Sequence, residues 1–255
     1  MKEVEKKLLD FIKTQVKNAS AKGVVVGMSG GLDSSVVATL CAKALGPKKV
    51  LGLCLPDEVT NPIDIEHAKT LAKRLGIRFK VIEITPIIEA LRKCLPDFNP
   101  RARLPLANLK ARTRMIILYY YANLYGYLVA GTSNKSELRA GYFTKWGDGA
   151  ADFLPLANLY KTQVRELAKH LGIPSPILEK TPTAGLWPGQ TDEGELGITY
   201  EKLDKIYMEL DKGKSPKEVA EATRVDLKQV MEILERERRT QHKRLPPPRP
   251  EIPQA

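Results

Sequence analysis

The chain has 255 residues, which suits one large α/β domain, or one domain with a small appendage, since domains commonly run about 100–250 residues. Its 43% hydrophobic and 28% charged residues exclude a disordered or fibrous chain, and no apolar run approaches the ~20 residues of a membrane span. Lysine and arginine outnumber aspartate and glutamate 41 to 30, a formal charge of +11, so an anionic partner is expected, with nucleic acid, nucleotide and acidic protein all open.

Residues 1–19 place Val4, Leu8, Phe11, Ile12 and Val16 at helical spacing, so the chain opens with an amphipathic helix. Residues 23–28 form a β-branched run without polar alternation, the pattern of a parallel strand buried on both faces. A glycine turn, a helix over 34–45 and a second buried strand over 49–55 complete one βαβ unit. The alternation continues with a helix over 63–75, a strand over 78–84, a helix over 87–95, an irregular connection over 96–105, a helix over 106–125 and a fourth strand over 127–131. Helices are then expected over 161–171, 200–210, 217–222 and 227–239, with a long Pro- and Gly-rich loop over 172–197.

This order predicts an α/β fold with a doubly wound, mainly parallel sheet and a C-terminal helical extension. Its ligands should bind beyond the carboxyl ends of the strands, after Met28, Leu55 and Gly131. A nucleotide-binding core is expected over about 20–175, a lid over about 181–197 and a helical part over about 199–244. Residues 104–109 and 154–159 share the sequence LPLANL, read as coincidence or common helix-entry chemistry. The start, 1–7, has no signal-peptide core, and Cys41, Cys54 and Cys94 lack CxxC spacing. A cytoplasmic protein with reduced, packed cysteines and no zinc site is expected.

The chemistry begins at Gly27-Met28-Ser29-Gly30-Gly31-Leu32-Asp33-Ser34, between the first strand and its helix. Small residues there leave backbone N–H groups uncovered, and a helix N-terminus adds partial positive charge, so the loop is suited to phosphate. The plainer reading is a tight turn capped by Asp33 or Ser34. The loop lacks both the GK[ST] of a Walker P-loop and the glycine spacing of a dinucleotide fingerprint.

It resembles instead the SGGxDS pyrophosphate loop of the ATP pyrophosphatase (PP-loop) superfamily, which implies a Rossmann-like fold of the adenine nucleotide alpha hydrolase type. The run 131–137 and the run 141–152, GYFTKWGDGAAD, are similar to motifs of ammonia-dependent NAD synthetases. The likeness extends through Leu154, Lys161, the 182–184 run PTA, the 192–197 run DEGELG and His242-Lys243. It implies a ligase that adenylates the nicotinate carboxylate of deamido-NAD with ATP, releases pyrophosphate, and lets ammonia displace AMP.

Residue by residue, the resemblance implies Mg²⁺ held by Asp33 and Glu137, and ATP contacts from the 27–34 loop, Thr132, Lys161 and Thr183. It implies deamido-NAD contacts from Arg112, Lys145, Asp152, His242 and Lys243, and a catalytic set of Asp33, Lys161 and Asp148, the last holding or deprotonating ammonia. A homodimer sharing the dinucleotide site is implied, with 106–125 and the C-terminal helix at the interface. Gly185 stands where many family members carry Asp. The chain leaves no room for a glutaminase domain, so free ammonia is the expected donor.

Glu137 has a plainer reading as a first-turn helix carboxylate, Lys145, Asp148 and Asp152 as solvated loop charges, and His242 as a surface residue. One rival function is another PP-loop adenylating enzyme acting on a tRNA base or purine. A rival of a different class treats 215–239 as a helix-turn-helix binding nucleic acid, although Glu232, Glu235 and Glu237 crowd the supposed recognition helix. With these rivals set aside, no nucleic acid or membrane partner is expected.

Overall fold

Alternate residues of the two central strands point to opposite faces, and both faces are covered. In the computed structural model, which describes residues 1–187 and 189–251, β1 (Gly23–Gly27), β2 (Val50–Cys54), β3 (Arg78–Val81) and β4 (Tyr127–Ala130) run parallel in the order β3-β2-β1-β4. Val24 and Val26 of β1 enter one core and Val25 the other, as do Val50 and Cys54 of β2 against Leu51 and Leu53. Burial on both sides is why these strands read as unbroken apolar runs. β3 lies at an edge, and its residues are largely exposed.

One face carries α1 (Lys2–Asn18), α2 (Leu32–Leu45), α3 (Pro62–Leu75) and α7 (Lys161–His170), which join the first core. The other carries α4 (Thr85–Cys94) and the long α5 (Arg103–Tyr125). A separate core gathers α10 (Tyr200–Asp211), α11 (Pro216–Thr223) and α12 (Leu227–Arg239) around Leu203, Ile206, Tyr207, Val230 and Ile233. The doubly wound sheet and the helical C-terminal part are thus as the sequence predicts. None of the helices among the described residues is long and apolar enough to cross a membrane.

Three short helices lie where no periodicity could announce them: α6 (Lys135–Ala140), α8 (Ser175–Leu178) and α9 (Asp192–Leu196). Two are set by capping instead. Asn134 and Glu137 form a reciprocal capping box at α6, and the Thr191 side chain accepts from the Gly194 amide at α9. α5 begins inside the expected 96–105 connection, because Pro105 falls in its first turn, where no amide donor is needed. Cys41 and Cys54 are buried, but Cys94 is exposed and does not pack as expected.

The sheet order reverses between β1 and β4, so the loops leaving these two strands splay apart at their carboxyl ends. That opening is the place where an α/β sheet of this type holds its ligand.

Candidate active site

A cleft of about 1200 Å³ opens at this switch point. It is lined by the loop after β1, the loop after β4, the start of α7, the segment 180–192 and the end of α12.

The loop after β1 is held by its own serines. Ser34 Oγ accepts from the Ser29 amide at 3.3 Å and donates to the Gly31 carbonyl at 3.1 Å, while Ser35 Oγ donates to the same carbonyl at 2.7 Å. Gly30 has φ +76°, and a Cβ there would stand 2.2 Å from the Asp64 carbonyl of α3, so only glycine fits. No side chain caps α2, so neither Asp33 nor Ser34 plays the part that a purely structural turn assigns them. The first amides of a 14-residue helix are left for a ligand, the arrangement that receives anions. Gly27, Met28, Ser29, Gly31, Leu32, Asp33 and Ser34 line the cleft, whereas Gly30 shapes the turn behind it.

Facing this loop, Lys161 meets two carboxylates. Its ammonium bonds Asp33 and lies 3.4 Å from Glu137 Oε1. Asn134 Nδ2 donates to Asp33 Oδ1 at 3.1 Å. Glu137 has its plainer role as a first-turn carboxylate: Oε2 accepts from the Asn134 amide at 3.2 Å to close the capping box, while Oε1 faces Lys161. Burial works against the charge on Lys161, but Asp33 and Glu137 outweigh it and raise its pKa, so it stays an ammonium. The helix that carries it is pinned by Asp204, whose Oδ2 accepts from the Thr162 amide at 2.8 Å.

The opposite wall brings Arg112, Lys145, Asp148, His242 and Lys243 together. Arg112 donates to the Lys145 carbonyl at 3.2 Å, and Lys145 Nζ donates to the His242 carbonyl at 2.6 Å. Lys243 Nζ donates to the carbonyls of Gly141 at 2.7 Å and Phe143 at 2.8 Å, so the chain end is laced onto the glycine-rich loop. Asp148 accepts from the Thr144 amide at 2.9 Å. Protein packed around its carboxyl raises the pKa, although the residue as a whole is exposed and borders the cleft.

Thr132 and Thr183 also line the cleft; Thr183 Oγ1 donates to the Gln190 carbonyl at 2.7 Å within the 181–197 segment. Pro188 of that segment lies outside the described residues. Asp152 is placed differently: its carboxylate accepts from the Val129 amide at 2.7 Å along the outer edge of β4, away from the cleft lining.

Sequence reasoning gave no individual role to Asn134 and Asp192, although both lie in quoted motif runs, and missed Tyr200 and Lys180. Asn134 lies inside the 131–137 run, beside residues already singled out. Lys180 bonds Asp64 at 2.5 Å from the far side of the cleft, a pairing 116 residues apart that no local pattern reveals.

An open parallel sheet with uncapped amides and a carboxylate pair at its switch point defines a class of phosphate-binding α/β proteins. Comparison with known proteins agrees and narrows the class. The NAD synthase family model matches residues 4–247. The chain is 51% identical to the NH(3)-dependent NAD(+) synthetase of Methanocaldococcus jannaschii, over 99% of this chain and 98% of the relative. The NH3-dependent NAD synthetase structure from Campylobacter jejuni superposes with a TM-score of 0.83 at 34% identity, covering 98% of this chain and 99% of the other. The NMN synthetase structure from Francisella tularensis superposes with a TM-score of 0.88 at 40% identity, covering 98% of each chain. The chain belongs to the NAD synthase family.

Proposed function

We infer that this chain is an ammonia-dependent NAD synthetase. The observation that carries the reading is one cleft holding an amide-lined loop, the Asp33, Glu137 and Lys161 cluster, and a basic wall of Arg112 and Lys145. The first two suit a triphosphate and the third a phosphate-bearing dinucleotide.

Asp33 and Glu137 are the residues that would hold Mg²⁺. Their fit rests on the Lys161 ammonium, a cation already lodged between two carboxylates borne on different elements. Mg²⁺ is commonly held by one or two carboxylates together with substrate phosphates, and bound there it would neutralise charge on the nucleotide.

A nicotinate oxygen attacks the α-phosphorus of ATP, and the bond to the bridging oxygen breaks with loss of pyrophosphate. Ammonia then adds to the carbonyl carbon of the mixed anhydride, and AMP departs with the electron pair of the C–O bond. The loop amides and Lys161 bear the charge gathering on the leaving pyrophosphate. Asp148 holds ammonia and takes a proton as the new C–N bond forms. Arg112 and Lys145 orient the dinucleotide, and closure of the 181–197 segment keeps water from the adenylate. Since Lys243 and the His242 carbonyl are engaged within the chain, these two residues support the site chiefly by fixing the loop that bears Lys145 and Asp148.

We place the reaction in the cytoplasm, which the free thiols of Cys41, Cys54 and Cys94 support. A homodimer is supported by Ile116, Tyr120 and Leu124, exposed in a row along α5, the helix that also carries Arg112. The helix-turn-helix rival gives way, because α12 buries Val230 and Ile233 and turns its basic end to the cleft.

The test is incubation with ATP, Mg²⁺ and ammonium, with deamido-NAD or nicotinate mononucleotide as acceptor and AMP, pyrophosphate and amide measured separately. AMP and NAD in equal amounts are expected. ADP and orthophosphate would overturn the reading, and faster amidation of the mononucleotide would move its substrate toward that of the Francisella relative.

A further inference from the structure

Asp192 opens α9 and is only 4% exposed, yet it lines the cleft. Its Oδ2 accepts from the Tyr200 hydroxyl at 3.1 Å, and its Oδ1 has no hydrogen-bond partner. The Lys161 ammonium lies over the same Tyr200 ring, 5.3 Å from its centroid. Burial raises the Asp192 carboxyl pKa and the Lys161 charge opposes that rise, so the two groups feel each other although they do not touch. Asp33 and Glu137 thus contact the ammonium directly, and Asp192 stands across the Tyr200 ring from it.

Holding Tyr200 does not explain this arrangement. A hydroxyl needs one acceptor, which a neutral amide supplies without the cost of burying a charge. The explanation lies with Lys161. In this structure its ammonium occupies the carboxylates of Asp33 and Glu137, the pair read above as holding the metal. Once those carboxylates are taken, a buried ammonium needs another counter-charge nearby.

We propose that Asp192 is a positioning residue for Lys161: its free Oδ1 holds the lysine ammonium above the Tyr200 ring, aimed at the phosphates, when nucleotide and metal occupy Asp33 and Glu137. The proposal rests on the ATP pyrophosphate-cleaving reading of the site. The residue stands beside the segment that carries Thr183, and the Asp192 amide donates to the Pro182 carbonyl at 3.0 Å, so seating that segment and placing the lysine are coupled.

Asp192→Asn tests this, because it keeps the shape and the acceptor for Tyr200 and removes only the charge. Expected are a fall in kcat for pyrophosphate release of at least about tenfold, a KM for ATP within about threefold of the wild type, and a ligand-free Tm equal to or above it. An unchanged kcat would overturn the proposal. So would a kcat loss accompanied by a lowered Tm, which marks a structural role, or a defect confined to KM. Asp192→Ser, a smaller neutral variant, should repeat the kcat loss if the asparagine variant fails to fold. Glu195→Gln, on the same helix but bonded to Tyr142, controls for loosening of the segment; an equal kcat loss there would also overturn the proposal. A wild-type chain releasing no pyrophosphate would sink the parent reading, whereas an active wild type with an unaffected Asp192→Asn sinks only this inference.

Discussion

At the residue scale, the proposed roles put charge handling and proton handling on opposite walls. Asp33, in the loop after β1, and Glu137 meet Lys161, while Asp148 lies on the far wall against the Thr144 amide. Asp33→Ala and Glu137→Ala are expected to leave the fold intact and abolish Mg²⁺-dependent pyrophosphate release. Asp148→Asn is expected to spare adenylation and slow amidation, so AMP forms in excess over NAD; equal slowing of both products would remove Asp148 from the ammonia site. Burial, with Asp33 adding to it, raises the Glu137 carboxyl above the ordinary glutamate value, and the Lys161 ammonium beside it opposes that rise.

At the element scale, one buried ion pair ties the connection after β2 to α5. Lys110 Nζ lies 2.9 Å from Asp57 Oδ2, with the two side chains 2% and 0% exposed. Arg114 adds a 3.3 Å contact to the same oxygen and donates to the Leu55 carbonyl at 2.8 Å. Lys110→Met would leave the Asp57 carboxylate buried with a weaker partner, a change that costs about 3 kcal/mol or more. Denaturant unfolding measures this, and a loss below about 1 kcal/mol would show that Arg114 alone suffices. The central strands were legible as unbroken apolar runs, being buried on both faces, and the long helices as patterns set by the side that covers the sheet. The short helices α6, α8 and α9 were not, since four to six residues hold too few turns for a period to register.

At the scale of the whole molecule, the apolar row on α5 is the surface least suited to water, with Ile116 63%, Tyr120 62% and Leu124 56% exposed. Tyr120→Glu should convert a dimer to a monomer in sedimentation experiments and weaken deamido-NAD use more than ATP binding. Unchanged sedimentation of a dimeric variant would move the interface off α5. Asp152 belongs to this scale as well: the motif that contains it was readable, but its place on the outer edge of β4 follows from the path of the chain back to that strand.

The sequence by itself determined the doubly wound sheet, the phosphate loop and the family, because each depends on neighbours in the chain: apolar period, glycine placement and contiguous motifs. The repeated LPLANL marks the limit of that information. Residues 104–109 lie in a helix, whereas 154–159 form successive turns in which Leu156 is fully buried and the Leu159 carbonyl accepts from the Lys135 amide at 2.8 Å. Six identical residues adopt two conformations because burial and backbone partners, not local preference, set the lower free energy at each place. Only the tertiary structure could likewise decide that Lys161, Asp33 and Glu137 meet and that Asp192 stands nearby on Tyr200, since a charge answers to whatever the fold brings within a few ångströms of it.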